Sequence, residues 1–164
     1  MHGAGLPVAP YHPWTEFDPR NHYGGPEALR EETMSGVVVG YVASPEGEAA
    51  VRQGIAEAQL RGCEVVVVYS DHGEKLDSAT ALQRTEALDR VHAMLHSADV
   101  VHDLRHLVRG KDPVSDVLDI AEELDADIIV IGIRRRSPVG KLVLGSNSQA
   151  ILLEAPIPVL AVKA

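Results

Sequence analysis

The chain has one cysteine, one tryptophan and one phenylalanine among its 164 residues, with four tyrosines completing the aromatics. A single cysteine excludes an internal disulfide and suits a reducing compartment. Cys63 directly precedes an apolar run, so it reads as a small packing residue rather than a reactive thiol. No apolar run approaches the roughly 20 residues that a helix needs to cross a bilayer. The chain opens with no basic segment followed by an apolar one, so no secretory leader is expected. Positive charge is also scarce: 15 Lys and Arg face 24 Asp and Glu, for a formal charge of −9. Repulsion from a phosphate backbone argues against a nucleic-acid partner. The expectation is a cytoplasmic protein with no membrane and no nucleic-acid partner.

Proline and glycine are unevenly spread. Five of the ten prolines (Pro7, Pro10, Pro13, Pro19 and Pro26) fall in the first 34 residues, with Gly24-Gly25, Trp14 and Phe17. Without a periodic apolar face this segment cannot offset its own ordering entropy. Residues 1–34 are therefore expected to be a disordered, Pro-rich segment and 35–164 the folded domain. The alternative is that Trp14 and Phe17 dock on the domain or on a partner. Met34-Ser35-Gly36 offers a second candidate start, immediately before the first apolar run.

From Val37 the pattern alternates strand and helix. Val37–Val42 is a short apolar run, and Ser44-Pro45-Glu46 supplies an N-cap, a first-turn proline and an acid. Val51, Ile55 and Ala58 share one helix face, and Gly62 ends it. Val65–Tyr69 reads as a second strand. A helix of about twenty residues follows, with Leu88, Val91 and Leu95 along its face. Val100–Val108 is a third strand that Arg105 and His106 place near a sheet edge. Asp112-Pro113 caps a helix carrying Val114, Val117, Leu118, Ala121 and Leu124. Asp127–Ile131, 146–154 and Ile157–Val162 complete the chain as strand, short helix and strand. Such alternation predicts an α/β fold of right-handed parallel βαβ units with helices on both faces. Ligands of these sheets bind beyond the strand carboxyl ends, where the strand order reverses.

One place there is built for an anion. Ile128-Ile129-Val130-Ile131 ends on Gly132, a twelve-residue basic connection follows, and Gly145-Ser146-Asn147-Ser148 opens a helix. Glycines let backbone come close, and free amides at a helix N-terminus face the charge. Ser146 and Asn147 are equally good helix caps without any ligand. Arg134-Arg135-Arg136 and Lys141 either reach a phosphate, pair with nearby acids or dock a partner. The remaining chemistry is sparse. His92 and His96 are four residues apart but lack the Glu or Cys neighbours of a zinc site. No Gly-x-Ser-x-Gly elbow is present, and no nucleophile is placed with a base.

Residues 36–163 resemble a universal stress protein domain. The likeness is carried by Val39-Gly40 with Ser44-Pro45-Glu46 and by Asp112-Pro113 through Glu122-Glu123-Leu124. It continues through Ala126–Gly132, Ser137–Ser146 and the closing Ala155–Val162. The resemblance implies a five-stranded, parallel, doubly wound Rossmann-like sheet of order 3-2-1-4-5. It also implies a non-enzymatic stress-response module that binds ATP or AMP, magnesium arriving only with the nucleotide. Gly132, Gly145, Ser146, Asn147 and Ser148 would then surround the phosphates, with Arg135 and Gly140 from the loop between. A homodimer is implied as well, built on the last strand through Val159, Leu160 and Val162. The sequence departs from the nucleotide-binding pattern at two places. Arg135 stands where binders have their second glycine, and Val42, followed by Ala43, stands where they have an aspartate. The alternatives are a family member that binds no nucleotide and acts through its dimer surface toward an unknown client, and a slow ATPase.

Overall fold

The structure, a computed structural model, describes residues 36–71, 77–108, 112–134 and 144–164. The expectations for residues 1–34, and for Arg135, Arg136, Gly140 and Lys141, lie outside the described residues. The described chain runs β1 (Val37–Tyr41), α1 (Pro45–Arg61), β2 (Val65–Ser70), α2 (Ser78–Ser97), β3 (His102–Leu107), α3 (Pro113–Glu123), β4 (Ile128–Ile133), α4 (Ser146–Glu154) and β5 (Val159–Lys163). All neighbouring strands pair parallel in the order β3-β2-β1-β4-β5, the order implied by the resemblance. No helix among the described residues is long and apolar enough to cross a membrane.

The three central strands are almost wholly β-branched because both of their faces are covered. Val37, Val39, Val65, Val67, Ile128 and Val130 face α1 and α2, where Val51, Ala58, Val91 and Leu95 meet them. Val38, Val66, Val68, Ile129 and Ile131 face α3 and α4, against Val117, Ile120, Ala121 and Ile151. Alternation along each strand thus divides one valine-rich run between two cores.

Every strand differs from the periodicity by one or two residues at an end or at both, and three of these differences have a visible backbone cause. β5 begins at Val159 rather than Ile157, because Pro158 has no amide to give the ladder and only its carbonyl pairs, accepting from Ile129 N at 3.0 Å. β3 begins at His102, since Val100 N is turned back onto Ala98 O. β4 extends to Ile133, held by pairing with Lys163. Arg105 does lie on an edge strand, bridging Asp103 and Glu123 at 3.1 and 2.9 Å.

Ser44 and Asp112 cap their helices as expected, and Asp77, which the sequence reading did not single out, caps α2. Ser44 accepts from Gly47 N, Asp77 from Thr80 N, and Asp112 from Val114 N and Ser115 N. Gly62 ends α1 at φ +66, a left-handed conformation that favours glycine. The buried face of α1 includes the anticipated stripe and is wider than it. Ile55 is only partly buried, while Gly47, Ala50, Val51, Gly54 and Ala58 are buried. Small residues let the helix backbone settle directly on the sheet. A methyl added at Gly54 would enter Val39 Cγ2, and one at Gly47 would enter the Val42 carbonyl. Cys63 packs partly buried against this core, and desolvation pushes its thiol pKa up.

In an exposed helix interior, replacing glycine with alanine is stabilising by about 1 kcal/mol. Gly54→Ala is expected to do the opposite, lowering stability by about 1–3 kcal/mol through overpacking against Val39. Urea unfolding of the two proteins checks the sign; a gain in midpoint would show that Val39 yields.

Candidate functional site

The sheet order reverses at β1, which pairs with β2 on one side and β4 on the other. Beyond its carboxyl end the chain turns sharply, with Ser44 N bonding Val42 O at 2.7 Å, and enters α1. β4 ends beside it, and α4 starts across the gap. Together they enclose a hollow of about 210 Å³, lined by Val42, Ser44, Glu46, Gly132, Arg134, Gly145, Ser146, Asn147 and Ser148. Five positions expected around phosphates therefore meet at one place, with Val42 opposite them. Ala43 does not join them. It lines a separate hollow of about 550 Å³ between the end of β2 and α2, with Tyr69, Ser70, Asp71, Arg84 and Arg90. Charges in that second hollow are matched: Arg84 pairs with Asp71, and Arg90 Nε lies 2.9 Å from Glu48 Oε1.

The two glycines of the first hollow have different causes. A Cβ at Gly132 would collide with the Glu46 backbone in the first turn of α1. This glycine is required by the fold before any ligand is considered. At Gly145 an added Cβ meets nothing among the described residues within 4 Å, and φ is −62, open to any residue. Gly145 is the N-cap of α4 and provides no side-chain cap. Ser146 and Asn147 thus do not serve as caps. They occupy the first turn, exposed, with Ser148, whose hydroxyl donates to Gly132 O at 3.3 Å. The first intrahelical bond is Gln149 N to Gly145 O at 2.9 Å, so the amides of Ser146, Asn147 and Ser148 precede the helix ladder.

The chain as a whole is similar to known proteins. The family model described as "Universal stress protein family" matches residues 34–163. A universal stress protein of Mycolicibacterium smegmatis is 44% identical over 127 residues, covering 77% of this chain and 96% of that protein. The chain belongs to the universal stress protein family. Among solved structures, a universal stress protein from Archaeoglobus fulgidus is 37% identical with a TM-score of 0.66, over 77% of this chain and 97% of that one. A universal stress protein structure from Archaeoglobus fulgidus in complex with dAMP is 32% identical with a TM-score of 0.63, over 79% and 98%.

Within this universal stress protein the electrostatics of the hollow are mixed. The amide ends of α4 favour an anion, and Arg134 stands beside them with its Nε 3.6 Å from Glu46 Oε2. Of the basic loop, Arg134 therefore has an acid partner, while Arg135 lies outside the described residues, as does Gly140. Val42 is 49% exposed and offers no hydrogen-bond acceptor from its side chain. His92 and His96 stack at 6.2 Å and His96 meets His102 edge-on at 5.1 Å. Among the described residues no group of three or more His, Cys, Asp or Glu could hold a metal ion.

Sequence reasoning missed three contributors. Tyr41, buried under the end of β1, donates weakly to Ala87 O at 3.5 Å, and burial raises its pKa. Glu46 was read only as a first-turn acid, yet it lines the hollow and pairs with Arg134. Ser70, at the end of β2, bonds Asp116 of α3 at 2.5 Å. A polar residue closing an otherwise apolar strand was the only local sign of the third.

If Gly132 serves the fold, Gly132→Ala should lower stability by about 1–3 kcal/mol in buffer free of any nucleotide. Thermal or urea unfolding of the ligand-free protein tests this. Unchanged stability would mean that the glycine is there for a ligand alone.

Proposed function

We propose that this universal stress protein is a non-enzymatic, cytoplasmic stress-response module that binds ATP or AMP in the hollow between β1, β4 and α4. The observation that carries the reading is the open, uncapped start of α4. Gly145 leaves room in front of it, and the amides of Ser146, Asn147 and Ser148 meet that room with the positive end of the helix. The Archaeoglobus fulgidus relative in complex with dAMP supports an adenine nucleotide as the guest. Arg135 and Gly140 belong to the connection between β4 and α4 and lie outside the described residues. Magnesium enters this reading only as part of the nucleotide.

The test is calorimetric titration of the full chain with AMP and with ATP, repeated on Gly145→Asp. That substitution sets a carboxylate before the amides and should weaken binding by about tenfold or more, at least ~1.4 kcal/mol. No binding of either nucleotide up to about 1 mM, a free energy near −4.1 kcal/mol, overturns the reading. Phosphate release from ATP above the buffer blank, abolished by Gly145→Asp, would replace it with a slow ATPase.

A second observation favours a homodimer. Among the described residues β5 has a strand neighbour on one side only, and Val159, Leu160, Ala161 and Val162 are all incompletely buried. An apolar edge strand is a template for pairing with another strand. A second copy of the chain would cover it, with Val159, Leu160 and Val162 at the seam. Light scattering should show a dimer that Leu160→Glu converts to monomers or insoluble protein. A dimer unchanged by that substitution rejects the seam.

A further inference from the structure

Three of the four histidines among the described residues gather where α2 ends and β3 begins. His92 and His96 lie one turn apart on α2 and are exposed, so packing does not demand an imidazole at either position. His102 opens β3, and its ring meets that of His96 edge-on with centroids 5.1 Å apart. Its Nδ1 lies 2.9 Å from Val100 O. A carbonyl has no hydrogen to give, so Nδ1 carries the proton and Nε2 of the neutral ring is a bare lone pair. Metal-ligating histidines are oriented in this way, their second nitrogen donating to a carbonyl or carboxylate.

Spacing singles out two of the three rings. Two imidazoles on one tetrahedral ion, each nitrogen about 2.1 Å from it, have their centroids about 5 Å apart. His96 and His102 stand at that separation. His92 stacks on His96 at 6.2 Å with the ring planes 20° apart, and near-parallel rings do not aim their lone pairs at one point. That is why no three groups converge, although a pair from two elements is correctly spaced. His96 also sits in the last turn of α2, where the negative end of the helix favours a cation. The chain's formal charge of −9 acts in the same direction.

We propose that His96 and His102 form a two-imidazole site for a divalent transition cation such as zinc, tying the end of α2 to the edge strand β3. Imidazole nitrogen suits ions of this class, whereas magnesium and calcium require oxygen. With two protein ligands, water completes the shell and the ion is exchangeable. The site lies at the amino end of the sheet, opposite the nucleotide hollow, and does not rest on the nucleotide reading.

The experiment titrates the full chain with zinc chloride and follows the imidazole nitrogens by long-range proton–nitrogen NMR, which separates this site from histidines elsewhere. Nε2 of His102 and one ring nitrogen of His96 should shift together along a single binding curve. His96→Ala should weaken zinc binding at His102 by about tenfold or more, since even loss of an outer-shell partner costs that much. His92→Ala should leave the affinity within about twofold, because its ring is not a ligand of the pair. An ion held by two elements binds the folded state alone, so zinc should raise the thermal unfolding midpoint of the native chain. The rise should persist in His92→Ala and shrink in His96→Ala. No shift at either ring up to about 1 mM zinc overturns the proposal. Equal weakening by His92→Ala and His96→Ala overturns the assignment to this pair. His96 is exposed on a helix, so the decisive variant does not depend on replacing the partly buried His102.

Discussion

The first turn of α1 lies against backbone at the ends of β1 and β4, and the shape of the candidate site depends on that closeness. Gly47 faces the Val42 carbonyl, Gly54 faces Val39, and Gly132 faces the Glu46 backbone. Any of the three as alanine would lift the helix or bend a strand, because packed interiors have little slack. The contact draws the first turn of α1 over the ends of β1 and β4. It brings Ser44 and Glu46 into the hollow and leaves Val42 at its rim, half exposed. The crevice of a doubly wound sheet exists wherever strand order reverses. Here its depth and lining are set by how near one helix can come.

Within that frame, the hollow presents backbone donors more than side-chain ones. The amides at the start of α4 are uncapped, and the residue before them is a glycine that packing does not demand. Opposite stands an apolar residue, and the nearest acid, Glu46, is engaged with Arg134. Ser70 of β2, which lines the adjoining hollow, is hydrogen-bonded to Asp116 of α3.

The fold was legible because its signals are local. Runs of β-branched residues bounded by caps, prolines and Gly62 marked every element, and most boundaries moved by a residue or two. Where they moved, one backbone group was responsible, as with Pro158, which has no amide for the ladder. The α1 face was read on the correct side but too narrowly. Periodicity weights large apolar side chains, whereas this helix buries glycine and alanine. The site was legible as a place, since Gly132 and Gly145–Ser148 do meet around one hollow.

By itself the sequence determined which segments become strands, which become helices, and at which end of the sheet a ligand would sit. Those follow from side-chain shape, chain direction and helix polarity, properties that a short stretch carries wherever it lies. Only the tertiary structure decided why each glycine is a glycine, that Arg134 is partnered by Glu46, and that Ser70 answers to Asp116. Ser70 and Asp116 are separated by 46 positions in the chain. A hydrogen bond or a steric clash acts over a few ångströms of space, so partners that far apart in sequence meet only once the sheet has formed.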